Sequence, residues 1–356
     1  MKIGIDASRA FLKNRTGIEE YSYQIIKVLS EELKEHEIFL YVKKQDGLKF
    51  KNKNVKIREI KFYRFWTQIG LSLEMMINPV DVLFVPAHTV PFIHPENTIV
   101  TIHGLEYEHC PESYSLYSKW LHRFFIKKSC SWAKEVIAVS KKTKSDLRRM
   151  YKISKNKIRV IYNGFDDKFK IVNQNEKFNN NYLLYVGRLE IRKNIQGIIE
   201  SFEILKERYG YKGKLILAGR PGYGYLNLKS KIQNSKLKKF ILEKGFVGEK
   251  EKWKLISNAD VFLFPSFCEG FGIPILEAQS IGIPVVTSNY GPMDEVAGDE
   301  NILINPRSPK MMAELTNRLI KDEVFRQKVI DNGLENVKRF SWEKSGEGVG
   351  EVLLAI

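Results

Sequence analysis

The chain has 356 residues, 43% of them hydrophobic, and a formal net charge of +16 at pH 7. This length is too great for one ordinary hydrophobic core and favours two domains of about 150 to 200 residues. No run approaches the ~20 apolar residues of a membrane span, and three scattered cysteines exclude a disulfide framework or a metal knuckle. We therefore expect a cytoplasmic protein in which Cys110, Cys130 and Cys268 serve as packing residues.

Most of the excess positive charge lies in one block. Residues 119–168 contain 15 lysines and arginines but 4 acidic residues. Such a block attracts an anionic partner, and its sign alone does not distinguish nucleic acid, lipid headgroups and phosphorylated substrates.

Short apolar runs rich in β-branched residues recur through the first half of the chain. Most of them are continuous rather than alternating, which is typical of parallel strands buried on both faces. We predict strands at 2–7, 37–43, 55–60, 81–86, 98–103, 135–140 and 158–164.

Between the fifth and sixth of these runs, residues 115–128 read SLYSKWLHRFFIKK. At helical spacing, apolar side chains form one stripe and cations form another. Such a helix can lie on an anionic membrane, although a packing helix with a solvated face remains an alternative. We predict peripheral association with the inner face of the membrane. Residues 61–77 repeat the pattern more weakly. The two stripes of 115–128 are Leu116, Tyr117, Trp120, Leu121, Phe124 and Phe125, and Lys119, Arg123 and Lys127.

A polar, asparagine-rich stretch at 170–181 is interpreted as a linker. A second series of strands follows at 182–187, 214–219, 244–248, 260–266, 283–288 and 301–306. This alternation predicts an α/β protein with two doubly wound, Rossmann-like domains that face each other across a cleft. We assign residues 1–169 to the N-terminal domain, 182–340 to the C-terminal domain, and 341–356 to a helix that packs back toward the N-terminal domain.

The first strand of the second series is followed by GRLEIRK, which contains Arg188 and Lys193. Ligands of doubly wound sheets bind at the carboxyl ends of the strands. Both cations could face one diphosphate there, arginine as a planar fork and lysine as a point charge. A solvated surface pair is the alternative.

A glycine-rich turn follows the strand at 260–266, in the sequence FCEGFGIPILEA. Proline suits the first helical position, so Pro274 predicts a helix that begins near Ile273. Glycines let the backbone approach a ligand closely, and the first N–H groups of a helix favour an anion such as phosphate. The glycines are Gly270 and Gly272, and the N–H groups belong to Phe271, Gly272 and Ile273.

Two acids flank this turn. We expect Glu277 in the first helical turn, where its carboxylate could accept both hydroxyls of a ribose diol. Glu269 lies before the turn and could hold hydroxyls of the group that the phosphate carries. Each acid alone could instead be structural, Glu277 complementing the helix dipole and Glu269 capping a turn. A glycosidase-like acid/base pair is disfavoured because the acids straddle an anion site, and a metal site lacks further ligands.

In combination these motifs resemble the nucleotide-sugar-dependent glycosyltransferases of family 4, which have the GT-B fold. The likeness is carried by PSFCEGFGIPILEA, with seven residues between its two glutamates, and by GRLEIRK, LILAGRPGYG and IPVVTSNYGPMDEVAGD. In the first half of the chain it includes IGIDAS, RTGIEEY, TIHGLEYEHCPESY, VIAVSKKTKSDL and VIYNGFD. It extends over nearly the whole chain.

The resemblance implies a role for each position. A basic pair and backbone N–H groups hold the donor diphosphate, one glutamate binds the transferred sugar, and one binds the ribose. A histidine sits over the sugar and phosphate, and a glycine of the first domain lies in a loop that closes on the donor. On this resemblance, the basic pair is Arg188 and Lys193, and the N–H groups belong to Phe271, Gly272 and Ile273. Glu269 is the sugar-binding glutamate and Glu277 the ribose-binding one. The histidine is His103, and the glycine of the first domain is Gly17.

Gly270 and Arg220 complete the predicted donor site. Without the family, Gly17 reads as an ordinary turn glycine and His103 as a buried core histidine.

The family also implies transfer with retention at the anomeric carbon, to an acceptor handled by the first domain. No Asp-x-Asp pair occurs in the chain, so we expect neither a metal ion nor another cofactor. Similarity in LILAGRPGYG and the glutamate segment favours a mannosyltransferase that uses GDP-mannose, with a UDP-hexose as the alternative donor. The expected acceptor is a saccharide or a lipid-linked saccharide in cell-surface polysaccharide synthesis.

Other classes of protein fit less well. A nucleic-acid-binding protein would share the basic charge, but the chain has no recognition motif or zinc spacing, so no nucleic-acid partner is expected. A dinucleotide oxidoreductase would need G-x-G-x-x-G after a strand, which is absent. A sugar phosphorylase would need a lysine for pyridoxal phosphate, and no distinctive sequence marks one.

Overall fold

The computed structural model describes residues 1–12, 15–43, 52–62, 64–166 and 181–356. The chain forms two compact units. The first comprises Met1–Leu105, Leu116–Gly164 and Phe340–Ile356, and the second comprises Glu106–Ser115 and Phe165–Arg339.

Within the described ranges, thirteen β-strands form two sheets in which every strand pair is parallel. The first unit contains β1 (Lys2–Asp6), β2 (Glu37–Val42), β3 (Val55–Glu59), β4 (Val82–Val85), β5 (Thr98–Ile102), β6 (Glu135–Ala138) and β7 (Ile158–Val160). The second contains β8 (Tyr182–Val186), β9 (Lys214–Ala218), β10 (Ile241–Gly245), β11 (Val261–Phe264), β12 (Val285–Ser288) and β13 (Leu303–Ile304).

Thirteen α-helices are present in the same described residues. They are α1 (Gly17–Glu32), α2 (Ser72–Ile77), α3 (Glu106–His109), α4 (Leu116–Trp132), α5 (Lys141–Tyr151), α6 (Ile195–Tyr209), α7 (Tyr225–Asn234), α8 (Glu249–Ser257), α9 (Ile273–Ser280), α10 (Met293–Ala297), α11 (Pro309–Lys321), α12 (Glu323–Asn336) and α13 (Trp342–Leu354). A π-helical turn spans Trp66–Leu71, and 3₁₀ turns span Pro111–Ser113, Lys155–Lys157, Ile191–Lys193, Lys238–Phe240, Glu300–Ile302 and Val337–Arg339. No helix in the described ranges has both the length and the apolar content that crossing a bilayer requires.

The sheet of the first unit has the strand order β3-β2-β1-β4-β5-β6-β7. The order proceeds outward in both directions from β1 and β4, which are hydrogen-bonded neighbours. In doubly wound folds, such a reversal opens a crevice at the carboxyl ends of the strands, where ligands bind. Gly17 and His103 lie in segments that follow β1 and β5, respectively.

The sheet of the second unit has the order β10-β9-β8-β11-β12-β13, which reverses between β8 and β11. These strands pair directly, with Val261 opposite Leu183 and Phe262 opposite Leu184. The segment after β8 is GRLEIRK and the segment after β11 is PSFCEGFG. The topology therefore brings the two predicted phosphate-binding segments to the same crevice.

Burial on both faces stabilises the central strands. Every residue of β4, β5, β11 and β12 is buried. Burying a large aliphatic or aromatic side chain contributes about 1.5–3 kcal/mol relative to its exposure. Because both faces are covered, apolar residues follow one another without alternation, and this is the pattern from which these strands were predictable.

The C-terminal helix α13 packs against α1, and both belong to the first unit. Gly346 allows the close approach, since a Cβ at that position would overlap the side chain of Val28. Trp342 is buried, and the Ser345 hydroxyl donates a hydrogen bond to the carbonyl oxygen of Tyr162.

One predicted strand is displaced. The strand expected at 244–248 is β10, which spans Ile241–Gly245. β10 is an edge strand with exposed residues at Leu242, Glu243 and Lys244, so it lacks the apolar run on which the prediction relied. Phe246, which belonged to that run, is 57% exposed.

The segment 106–115 lies within the predicted N-terminal domain, but the structure groups it with the second unit. A disulfide between Cys110 and Cys268 ties it to the loop after β11. The expectation that all three cysteines are packing residues is therefore wrong for this pair, whereas Cys130 is a buried free thiol. The pairing also removes the support that cysteine usage gave to the expected cytoplasmic location, because disulfides are rare in the reducing cytosol. Residues 170–180 of the predicted linker lie outside the described residues.

Replacing Gly219 with alanine should destabilise the second unit strongly. Gly219 directly follows β9 with φ +155°, and an added Cβ would overlap the carbonyl oxygen of Gly187. We expect a loss of about 3–5 kcal/mol in the free energy of unfolding, from backbone strain plus overpacking. The matched control is Gly210→Ala, which has φ +66° but open space around the new Cβ and should cost about 1–2 kcal/mol. Equal losses in urea unfolding of the two variants would contradict this explanation.

Candidate active site

Asn194 fixes the turn between β8 and α6 against the end of β11. Its left-handed backbone (φ 57°) lets its side chain cap α6 by accepting a hydrogen bond from the Gly197 N–H at 3.2 Å. Its buried amide donates to the carbonyl oxygens of Pro265 at 3.2 Å and Pro306 at 2.7 Å. These bonds hold the segment that contains Lys193 beside the strand end that precedes Glu269.

A buried cluster of charges results. The Lys193 ammonium donates a hydrogen bond to Oε1 of Glu269, and the Arg192 guanidinium lies 3.4 Å from Oε2 of the same carboxylate. Arg192 also lies 2.7 Å from Glu190 and donates to the carbonyl oxygen of Cys268 at 3.2 Å. The side chains of Lys193 and Glu269 are 11% and 9% exposed. Glu269 is therefore held by two cations.

The surroundings shift the pKa values of the cluster. Burial raises the pKa of Glu269, but the charges of Lys193 and Arg192 outweigh it and lower the pKa below its ordinary value. Burial, together with the charge of Arg192, lowers the pKa of Lys193 although Glu269 opposes this effect. For Arg192, the carboxylates of Glu269, Glu106 and Glu190 overcome burial and raise the pKa. Glu269 is thus a carboxylate at neutral pH, able to accept hydrogen bonds but not to donate a proton.

Arg188 and Arg220 differ from Lys193 in being exposed. Among the described residues, neither guanidinium has an ion-pair partner. Arg188 lies two residues after the end of β8, whereas Arg220 lies after β9 with its guanidinium 4.3 Å from the centre of the Phe246 ring. The predicted basic pair thus consists of one exposed cation and one that is already ion-paired.

Helix α9 begins at Ile273, as predicted. Gly272 adopts φ +115°, a conformation that side-chain-bearing residues rarely adopt, and so reverses the chain into the helix. Within the described part of the chain, the N–H groups of Gly272 and Ile273 have no hydrogen-bond partner. Gly270 and Phe271 are buried beside them. This helix start can accept an anion.

Glu277 is the fifth residue of α9, just beyond the first helical turn in which the sequence placed it. Its carboxylate pairs with Lys252 of α8 at 2.8 Å, and Lys252 also lies 3.0 Å from Glu249. Burial lowers the pKa of Lys252, but the two carboxylates outweigh it and raise that pKa. Lys252 therefore stays charged and fixes the orientation of the Glu277 side chain.

His103 follows β5 in the first unit and is 7% exposed. Its Nε2 lies 2.7 Å from the carbonyl oxygen of Pro86, and its ring packs edge-on against Tyr21 and His88. A carbonyl oxygen only accepts, so Nε2 carries the hydrogen. Burial lowers the pKa of His103 to about 4, despite the opposing effect of Pro86. At neutral pH, Nδ1 is therefore an unprotonated acceptor.

Gly17 is the first residue of α1, after Thr16 at the N-cap. Thr16 and Glu19 form a capping box, and Arg9 lies 3.8 Å from Glu19. Among the residues that the structure describes, a Cβ at Gly17 would meet no atom within 4 Å. The fold itself therefore does not require glycine there. The preceding residues 13–14 lie outside the described residues.

Three residues that organise the site were missed from the sequence. Asn194, before an apolar helical pattern, carried a usable N-cap signal. Arg192 lies between the predicted cations but was not distinguished from a surface residue. Lys252 lies 25 positions before Glu277, and no local pattern links the two.

Comparisons with known proteins identify the family. Two family models match, "Glycosyltransferase Family 4" over residues 15–169 and "Glycosyl transferases group 1" over residues 166–336. The chain is 27% identical over 257 residues to O-antigen chain mannosyltransferase B of Escherichia coli, covering 70% of this chain and 68% of that protein.

Two solved structures share the fold. Sucrose-phosphate synthase from Thermosynechococcus elongatus has a TM-score of 0.78 at 18% identity, covering 99% of this chain and 98% of that one. HepE from Anabaena, solved in complex with UDP and glucose, has a TM-score of 0.74 at 18% identity and covers 100% of both chains. The two family models together span residues 15–336, and each unit has the parallel α/β architecture predicted for this family. The chain therefore belongs to the family 4 glycosyltransferases, which have the GT-B fold.

Proposed function

We propose that the protein transfers a hexose from a nucleotide sugar to a saccharide or lipid-linked saccharide in cell-surface polysaccharide synthesis, with retention and without a metal ion. The observation that carries this proposal is the Lys193–Glu269 pair beside the glycine-capped start of α9. It places a cation, an anion-binding helix start and a hydroxyl acceptor at one strand reversal.

The preferred donor is GDP-mannose. O-antigen chain mannosyltransferase B supports mannose as the transferred sugar. HepE, which is solved with UDP and glucose, supports a UDP-sugar as the second candidate. The base-binding contacts decide between them, and we place these near Arg220 and Phe246, whose stacked pair lies at the carboxyl end of the sheet.

The leaving diphosphate gains negative charge as the bond to the anomeric carbon breaks. Preorganised donors stabilise such charge most effectively, because they need no reorganisation during the reaction. Arg188, Lys193 and the N–H groups at the start of α9 supply these donors from the chain itself. For this reason the mechanism that we propose needs no bridging metal.

His103 has a narrower role in this mechanism than the resemblance suggested. Since Nε2 donates to Pro86 and Nδ1 is unprotonated, the ring can accept a hydrogen bond but has no second N–H to offer a phosphate oxygen. We propose that Nδ1 of His103 accepts a hydrogen bond from a hydroxyl group of the substrate.

A peripheral membrane site on the first unit would serve a lipid-linked acceptor. Helix α4 leaves Leu116, Tyr117 and Trp120 between 60% and 81% exposed, while Ile126 and Cys130 are buried. The packing alternative therefore accounts for the end of α4 but not for its first turns. Exposed aromatic and basic residues together suit an anionic lipid surface.

Nucleotide sugars should stabilise the protein against heat, and the two glutamates should respond differently. In a thermal-shift screen of UDP-, GDP- and ADP-sugars, the sugar nucleotide with the cognate base should raise Tm equally with and without EDTA.

Glu277→Ala should weaken binding of the bare nucleoside diphosphate by about tenfold, because a charged hydrogen bond to the ribose is lost. Glu269→Ala should reduce kcat by about 100-fold with a smaller effect on nucleotide binding. The reverse pattern would overturn the assignment of the two acids, and loss of stabilisation in EDTA would exclude the metal-free mechanism.

Replacing Lys252 with methionine should lower the free energy of unfolding by about 1–3 kcal/mol at pH 7, since Glu277 keeps its buried charge without a partner. The folded pKa of Lys252 is raised above 10.5, its ordinary value. The stabilisation is therefore fully present below pH 10.5 and is lost as the pH rises through the folded pKa. Urea unfolding from pH 6 to pH 11 measures this difference.

The control for Lys252→Met is Lys250→Met, which alters an exposed lysine of the same helix. It should change stability by less than about 0.5 kcal/mol. If the two variants match, Glu277 does not depend on Lys252.

The protein should float with anionic liposomes at low salt and dissociate at high salt. Replacing Leu116 and Trp120 with serine should weaken this binding by at least about tenfold, because two apolar side chains no longer enter the interface. Leu226→Ser is the control, since Leu226 is also 81% exposed but lies in the second unit. Absence of flotation at low salt, or an equal effect of the control, would refute the membrane site.

A further inference from the structure

The segment 106–115 is joined covalently to the sugar side of the candidate site. Its Cys110 forms a disulfide with Cys268, the residue directly before Glu269, and their Cα atoms lie 6.7 Å apart. The sulfur of Cys268 lies 4.0 Å from the carbonyl oxygen of Glu106. The start of this segment therefore lies against the turn that carries the sugar-binding glutamate.

Two side chains of this segment belong electrostatically to the buried charge cluster. Glu106 interacts with the charges of Arg192, Glu269 and Lys193, and burial raises its pKa. Burial also raises the pKa of Tyr114 to about 12, with Glu106 contributing in the same direction. The Tyr114 ring packs edge-on against Tyr107, which is 2% exposed. The segment thus forms part of the wall of the site rather than a distant surface loop.

The cluster leaves Glu106 with spare capacity to accept hydrogen bonds. Each carboxylate oxygen of Glu269 already faces a cation, Lys193 or Arg192. In the described part of the chain, no side chain donates a hydrogen bond to the Glu106 carboxylate. A hexose presents several hydroxyl donors, more than the remaining lone pairs of Glu269 can satisfy.

We propose that Glu106 is a second hydroxyl-binding carboxylate for the transferred sugar, a specificity-determining residue held in place by the Cys110–Cys268 disulfide. The inference rests on the proposed function, because it requires a nucleotide sugar in this site. The competing explanation is that Glu106 only balances the charge of Arg192. The two explanations predict different effects on binding. Loss of a sugar contact weakens binding of the nucleotide sugar alone, whereas loss of a charge-balancing group disturbs the whole cluster and so does not distinguish the nucleotide sugar from the nucleoside diphosphate.

The test compares two ligands, GDP-mannose and GDP, or the UDP pair if the screen selects uridine. Glu106→Gln keeps the shape of the side chain and removes its charge. We expect the Kd for the nucleotide sugar, measured by calorimetry, to rise by about tenfold, while the Kd for the nucleoside diphosphate changes by less than about twofold. Glu112→Gln, an exposed acid of the same segment, should leave both values unchanged.

A second variant tests whether the Cys110–Cys268 disulfide holds Glu106 in place. Replacing Cys110 and Cys268 with serine should raise the Kd for the nucleotide sugar in the same selective way. Treating the wild type with a dithiol should reproduce this effect, since the dithiol delivers two electrons and two protons to the two sulfurs and is itself oxidised to a disulfide. The serine variant should not respond to the dithiol.

Each outcome has a definite meaning. Equal weakening of both ligands by Glu106→Gln, or no weakening of either, would overturn the role of Glu106 and leave the proposed function intact. A wild type that binds neither the nucleotide sugar nor the nucleoside diphosphate would overturn the proposed function, and the inference with it. Selective loss in Glu106→Gln without any effect of the serine variant would remove the disulfide from the proposal.

Discussion

The site depends on one buried ion pair, between Lys193 and Glu269, at the strand reversal of the second unit. Removing two charges from water is costly, and a buried pair repays that cost only when its geometry is fixed by further bonds. Asn194 supplies that geometry by bonding both to the helix that it caps and to the carbonyl oxygen of Pro265, directly after β11. The ion pair therefore depends on both the strand order and the turn that Asn194 fixes.

The same arrangement is repeated on the other side of the glycine turn. Glu277 is paired with Lys252, as Glu269 is paired with Lys193. In both pairs a lysine fixes one carboxylate and leaves acceptor capacity for hydroxyl groups. On the proposed function, a sugar and a ribose would meet acceptors that are already oriented and ionised, so binding would need little rearrangement.

The sequence was informative where one element alone carries the signal. Continuous apolar runs identified β4, β11 and β12, and the glycine–proline spacing identified the start of α9. It was misleading for β10, whose edge position gives it exposed polar residues. The Lys252–Glu277 and Cys110–Cys268 pairs join segments 25 and 158 positions apart, and such pairings depend on tertiary folding rather than on any local pattern.

The two units present chemically different groups at their strand ends. The second unit offers charged groups, whereas His103 and Tyr21 of the first unit are buried and neutral at pH 7. On the proposed function, His103 is held neutral by burial and adds no charge to the donors that Arg188, Lys193 and the start of α9 supply to the leaving group. In the proposed reaction, the first unit is then left to orient hydroxyl groups, which is the task that an unprotonated Nδ1 can perform.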